Sequence, residues 1–250
     1  MGQESNDAAL DLVRATSIPI HDIGTAIYLS SDVFGWAAEW GWTNPLAFYF
    51  AGRGGMLGDV RADVVISALG WFEPNAVTAM YTEGTGVASA TEAAERMAEA
   101  HAKWGEKHYA DVDELDEKVA VTEELVNGLE GSGIPLFVGW RDAAPGRTQA
   151  GRAAQLMQIL REWRGGLHLV ATTAVGLTPL EAILTNEGPG QAKFFGWPEP
   201  FPDTSAVKAK HDEAEEMTDR LCAAGLARAL DASRFTAFEG AVGSLRAATP

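Results

Sequence analysis

Arg164 and His168 stand four residues apart in LREWRGGLHL, with Glu162 just before them. In a continuous helix such a pair shares one face, so a guanidinium and an imidazole could meet the same ligand. An imidazole exchanges a proton near neutral pH, and burial can tune a carboxyl to do the same. A guanidinium holds a carboxylate through two parallel hydrogen bonds. Proton transfer by His168 and Glu162, with substrate anchoring by Arg164, is therefore expected. His21, also in apolar surroundings, is the third candidate catalytic residue. Trp36, Trp40, Tyr49, Trp71 and Phe72 are the expected aromatic walls, with Phe34 and Trp42 close by in sequence. This inventory suits metal-free acid–base chemistry on a small aromatic or carboxylated metabolite, with no cofactor. A condensation or cyclisation fits, a Pictet–Spengler-type ring closure being one concrete form.

A non-catalytic alternative uses His21 or His168 to hold haem, a metal or another apolar ligand. Haem needs one axial histidine and an apolar pocket. A metal held by His21, His168 and Glu162 or Asp32 has no H-x-H or H-x-x-x-H spacing behind it.

Such chemistry needs a rigid carrier. Leu156, Leu160, Trp163, Leu167, Val170 and Ala174 recur at spacings of four and three, the mark of a helix stripe against a core. Met157, Arg161, Arg164, His168 and Val175 form a second row beside it. Gly165-Gly166 costs a helix interior about 1 kcal/mol per glycine. A kink, or a close approach of backbone or ligand, is expected there.

Around this carrier the chain reads as helices. A frayed start over residues 1–6 precedes a helix over Ala8–Thr16, which Ile18-Pro19-Ile20 should break. Ser31-Asp32 caps an aromatic helix ending at Trp42, and Asn44-Pro45 opens one through Phe50. GRGGMLG, residues 52–58, is a glycine-rich connection, not a phosphate loop, because the lysine and Ser/Thr are missing. A buried helix is expected over Val60–Leu69, with Asn75 capping the next. Thr91–Leu129 is long, polar-faced and helical. Its acidic Asp111–Glu117 lacks the third ligand and the glycine of a calcium loop. Gly131–Gly146 is a loop whose Ile134–Trp140 crosses the interior. Thr178 and Pro179 start a helix after the central one. Gly188–Pro202 is an aromatic, proline-rich lid or packing loop. Ala206–Ala224 is a charged-faced helix, and Thr236 with Glu239 makes the capping box of the last. The expected architecture is all-α, a compact bundle of about ten helices in one domain over residues 1–250. Core helices fall within 7–184 and C-terminal helices within 206–247.

Composition narrows the function. Nineteen basic against 35 acidic side chains give a formal charge of −16. Phosphates are held by Lys and Arg, so no nucleic-acid or membrane partner is expected. Cys222 is the lone cysteine, which excludes an internal disulfide and a cysteine-rich metal site and reads as a buried thiol. His101, His108 and His211 lie in charged helices and are expected at the surface. No leader pattern and no apolar run of about 18–20 residues occur, so a cytoplasmic protein is expected. A homodimer is the base-rate expectation. No G-x-S-x-G elbow and no dinucleotide fingerprint is present.

GRGGMLGDVRADVVISALGWFEPNAV resembles a block in an actinobacterial family of uncharacterised helical proteins. LREWRGGLHLVATTAVGLTPLEAIL resembles that family's L-R-E-H-R-G-D-G-H-x-A-A-L run. Glu162, Arg164, Gly165 and His168 match it, while Trp163 replaces a histidine. His21 is similar to a histidine that precedes the family's Tyr-Phe-x-Pro-Glu segment, which is not intact here. The resemblance runs from His21 to Asp219. Its members are often labelled transcription regulators, of helix-turn-helix or MarR-like type, for a winged helix after the central helices. The resemblance thus implies a regulator as a further alternative. Here the corresponding region shrinks to about Gly196–His211, too short for a helix-turn-helix and its wing.

Overall fold

Residues Gln149–Ala174 form one helix, enclosed on every side from Ala153 to Leu160: Ala153, Ala154, Leu156, Met157, Ile159 and Leu160 are all buried. A helix apolar all round belongs in the middle of a fold. Thr148 starts it, its hydroxyl accepting the Gly151 amide at 3.1 Å.

A computed structural model describes residues 3–250, with side chains from residue 6 onward. The chain runs through α1 (Gln3–Tyr28), α2 (Ser31–Glu39), α3 (Pro45–Gly55), α4 (Ala62–Leu69) and α5 (Pro74–Thr85). It continues through α6 (Ala90–His108), α7 (Leu115–Gly128), α8 (Pro135–Asp142) and the central α9 (Gln149–Ala174). The last elements are α10 (Pro179–Asn186), α11 (Pro189–Phe194), α12 (Lys208–Ala229) and α13 (Phe235–Ala248), with 3-10 turns at Ser205–Val207 and Ala232–Arg234. The fold is all-α: thirteen α-helices and no strand among the described residues, against an expectation of about ten helices. α9 packs on α1, α6, α7, α8 and α12, while α3 lies against α5 and α6. The main core runs through α1, α6, α7, α9, α12 and α13, and a smaller one joins α3, α4 and α5. No single helix is long and apolar enough to cross a membrane among the described residues.

Several local expectations are corrected. Of the start expected to fray, residues 3–6 are helical; residues 1 and 2 lie outside the described residues. Pro19 does not break α1. It leaves the Ala15 carbonyl without a helical donor, but Ala15 is exposed, and Leu12, Val13, Ile20, Ile23 and Ile27 keep one buried face through that point. The glycine run is no connection either, since Gly52–Gly55 is the last turn of α3. A Cβ at Gly52 would come within 2.8 Å of Met97 Cε, and one at Gly55 would overlap the Ala90 carbonyl. The glycines thus let α3 lie directly on α6. In α4 only Val65 and Leu69 are buried, so that helix is half-exposed.

Caps shift as well. Ser30, not Ser31, caps α2, and Glu73, not Asn75, caps α5. The stretch Thr91–Leu129 splits at residues 109–114, where Glu114 adopts a positive φ of 51° before α7. Ile134–Trp140 lies mostly in helix α8, burying Leu136, Phe137 and Trp140. Part of the expected 188–202 loop is α11. Asp231 caps the 3-10 turn ahead of α13, which has no side-chain cap of its own, so the Thr236/Glu239 box does not form. Thr178 and Glu181 do form a full capping box on α10.

Candidate functional site

α9 carries Arg161, Arg164, Gly165 and His168 to the wall of a cavity of about 820 Å³. Spacings of three and four put Arg161, Arg164 and His168 on one face. α1 contributes His21, Thr25 and Tyr28; α3 contributes Tyr49, Phe50 and Arg53. Trp71 and Phe72 come from the turn after α4, Ile183 and Phe194 from α10 and α11, and His211 and Glu215 from α12. A volume of this size suits a small organic ligand.

His168 stacks on Trp71, the ring centroids 5.2 Å apart and the planes 27° from parallel. The Thr218 hydroxyl donates to the Ala214 carbonyl at 2.7 Å, which leaves its lone pairs to accept from His168 Nδ1 at 2.9 Å. That bond fixes the proton on Nδ1 and leaves Nε2 as the basic nitrogen. Nε2 stands 3.5 Å from Glu215 Oε1. Burial lowers the His168 pKa below 6.5; Arg164 and His211 push the same way, outweighing Glu215 and Asp219. His168 is therefore a neutral base at neutral pH.

Glu162 lies elsewhere. Two residues along a helix turn the side chain by about 200°, so Glu162 cannot share the face of Arg164. Its carboxylate accepts from Arg53 Nε and Nη2, each at 2.8 Å, and from Gln158 Nε2 at 2.7 Å. Tyr28 adds a longer bond at 3.3 Å. Burial would raise the Glu162 pKa, but the Arg53 guanidinium, helped by Arg161 and the Tyr28 hydroxyl, holds the carboxyl below its ordinary value. Glu162 does not line the cavity; it fixes Arg53, whose Nη1 donates to the Tyr49 hydroxyl at 2.6 Å.

Arg164 is occupied as well, its Nη2 reaching Glu215 Oε2 at 3.3 Å and Asp219 Oδ1 at 3.5 Å. His21 sits at the cavity rim, 63% exposed beside Asp22, rather than in apolar surroundings. Local burial and the Arg161 guanidinium lower its pKa despite Asp22. Tyr49, Trp71 and Phe72 line the cavity as expected, whereas Trp36 and Trp40 pack under Lys103, 4.3 and 5.3 Å from its Nζ, away from the site. Trp42 is buried and donates to the Gly84 carbonyl.

Two histidines expected at the surface are inside. His211 is buried at the cavity, and His101 is fully enclosed between Tyr28 and Trp140. His108 is partly covered by Trp104, with centroids 4.3 Å apart. Cys222 is a buried free thiol whose pKa burial raises to about 12, so it is inert. No group of three or more His, Cys, Asp or Glu side chains that could hold a metal ion occurs among the described residues.

Arg53 lies inside a glycine run that reads as loop, so nothing local marks it. Arg161 carried a signal, standing in the same helix row as Arg164 and His168. His211 and Glu215, four apart on α12, carried the same kind of signal, hidden among the charges of that helix.

A helix-turn-helix family model matches residues 13–202. The chain belongs to this helix-turn-helix family. No curated protein and no solved structure matches it. A helix-turn-helix joins two helices at about 90–120° across three or four residues, often including glycine. Here α9 and α10 meet with a bend of 109° across Val175–Thr178, where Gly176 has φ of 72°. In this member of the family the elbow turns α10 and α11 towards the cavity, into whose wall they place Ala182, Ile183, Phe194 and the adjoining Phe195. Phe195 packs on Phe72 at 4.4 Å, and Trp197 Nε1 donates to the Trp71 carbonyl at 2.9 Å.

Proposed function

We propose that the protein is an enzyme acting on a small aromatic metabolite in this cavity, with His168 Nε2 as the proton-transferring group. The fixed tautomer of His168 beside Trp71, in a largely apolar cavity with several aromatic rings in its wall, carries the reading. A buried neutral imidazole with a defined free nitrogen is suited to general base catalysis. No metal is needed for this role. A condensation or cyclisation fits. In a Pictet–Spengler-type closure an aromatic carbon bonds to an iminium carbon, and the proton on that ring carbon leaves to His168 Nε2. Glu162, neutralised by Arg53, takes no part in proton transfer.

Untargeted mass spectrometry of a metabolite pool incubated with the protein tests this. The expected result is a compound consumed by the wild-type protein and spared by a folded H168Q variant. Equal consumption by both rules out His168 as the base. No consumption, together with a native mass spectrum showing a bound haem or other organic ligand, would make the cavity a binding site without catalysis.

The α9–α10 elbow favours a regulator as the second reading. From Val175 to Ser205, however, Lys193 is the single basic residue against Glu181, Glu187, Glu199 and Asp203. Such a surface has little to offer phosphates. An electrophoretic shift with duplex DNA at low salt, abolished by higher salt, would favour the regulator; its absence removes it.

A further inference from the structure

Arg161 stands apart from the other two guanidiniums of the cavity. Arg53 is held by Glu162 and Tyr49; Arg164 Nη2 is hydrogen-bonded to Glu215 and faces Asp219, although Arg164 Nε, like that of Arg161, is buried without a partner. The Arg161 side chain is only 19% exposed, and its nearest carboxylate oxygen, Glu162 Oε1, lies 3.7 Å from Nη1, beyond hydrogen-bonding reach. That oxygen already accepts from Arg53, Gln158 and Tyr28. Arg161 Nε is buried with no acceptor at all. Two guanidiniums thus share one carboxylate at this wall, leaving an excess of one positive charge.

The side chain is nevertheless held in place. A Cβ at Gly24 would overlap Arg161 Cδ, so the glycine opens the groove on α1 in which the arginine lies. Arg161 Cζ is 5.4 Å from the centroid of the Tyr28 ring. From Tyr28 a chain of touching rings leads away: Tyr28–Tyr49 at 4.9 Å, Tyr49–Phe72 at 5.9 Å and Phe72–Phe195 at 4.4 Å. A fixed cation with unused donors therefore stands at one end of an aromatic wall.

We infer that Arg161, rather than Arg164, is the anchor for the carboxylate of an aromatic substrate, and that the natural ligand is a planar aryl monocarboxylate. This deepens the proposed function and rests on it. The carboxylate pairs with the Arg161 fork, the single negative charge cancels the local excess, and the ring lies along Tyr49 and Phe72.

Binding of benzoate, 2-naphthoate and anthracene-9-carboxylate, each against its carboxamide, tests the assignment by calorimetry. At least one carboxylate is expected to bind ten-fold or more tighter than its amide. R161M should level the two by weakening the acid, with the amide affinity kept, which also reports an intact cavity. R161K, which keeps the charge but loses the fork, should fall between. Equal wild-type affinity for acid and amide, or discrimination that survives R161M, overturns the role of Arg161 while leaving the cavity reading in place. Loss of discrimination in R164M instead would assign the anchor to Arg164 and equally overturn it. Failure of every acid and amide to bind the wild-type protein overturns this inference and the proposed function together.

Discussion

Arg53 and Glu162, 109 residues apart in sequence, close a two-pronged ion pair in the interior, with Nε–Oε1 and Nη2–Oε2 both 2.8 Å. Their side chains are 8% and 2% exposed. Removing one partner strands the other charge without solvent, which costs about 3–5 kcal/mol. R53M and E162Q are each expected to lower the unfolding free energy by that amount in urea titrations, and the R53M/E162L double variant to recover much of it. An E162Q protein as stable as the parent would show that the pair is not structural. Since the folded-state Glu162 pKa lies below the ordinary 4.5, its contribution is present above that pH and is lost as pH falls below it.

His101 sets a second acid limit. Its Nδ1 donates to the Met97 carbonyl at 2.8 Å, and its buried Nε2 has no partner. Burial dominates, and despite the Met97 bond and the nearby Glu162 the pKa falls from 6.5 to about 4. Arg161 acts in the same downward direction. Between those values the unfolded chain binds the proton and the folded one does not. Stability should therefore decline as pH falls from 6.5 towards 4, by about 3 kcal/mol in all. H101Q is expected to flatten this limb of a stability–pH curve. An unchanged slope would mean that His101 charges in the folded protein.

Thr218 should control the chemistry of His168 without touching a substrate. T218V removes the acceptor that fixes the proton on Nδ1. Nitrogen-15 spectra of the imidazoles should show a single Nδ1–H tautomer in the wild type and a mixture in T218V. The titration midpoint of His168 should lie below 6.5, with Glu215, Asp219, Arg164 and His211 as its charged neighbours. A mixture already present in the wild type would remove the argument for Nε2 as base.

The two glycines of α9 should respond in opposite directions. A Cβ at Gly165 meets nothing within 4 Å, whereas one at Gly166 comes within 2.5 Å of Ile134 Cγ2. G165A should raise stability by about 0.5–1 kcal/mol through helix propensity. G166A should lower it by about 1–3 kcal/mol through overpacking against Ile134. Thermal melts of the two variants decide this, and destabilisation by G165A would contradict the open space beside it. Because Gly165 lines the cavity, the same G165A change should weaken any ligand that fills it.

The central helix was legible in sequence because its evidence is local. An apolar stripe from Leu156 to Leu167 and the i, i+4 spacing of Arg164 and His168 need only helical geometry to be read. The same geometry covers Asn44-Pro45 at α3 and Thr178-Pro179 at α10, where the cap and its partners are near neighbours. The stripe failed at Val170 and Ala174, both exposed, because the covered face of α9 passes there to Ala171 and Thr172. The glycine pair makes no break, since Gly166 serves the contact with α8-side Ile134 and Gly165 faces the cavity.

Partners far apart in sequence were decided by tertiary structure alone. Nothing near Glu162 announces that Arg53 will neutralise it, and nothing near Arg53 announces that its glycines are helical, because a close approach to α6 is what makes glycine acceptable there. Burial of His101 and His211 depends on which face of a charged helix meets the core. Sequence fixes residue types and their spacing along a helix; charge pairing, desolvation and tautomer depend on what other helices bring. Those long-range neighbours make Glu162 a structural anion paired with Arg53, bond His168 Nδ1 to Thr218, and leave Arg161 without a hydrogen-bonded carboxylate.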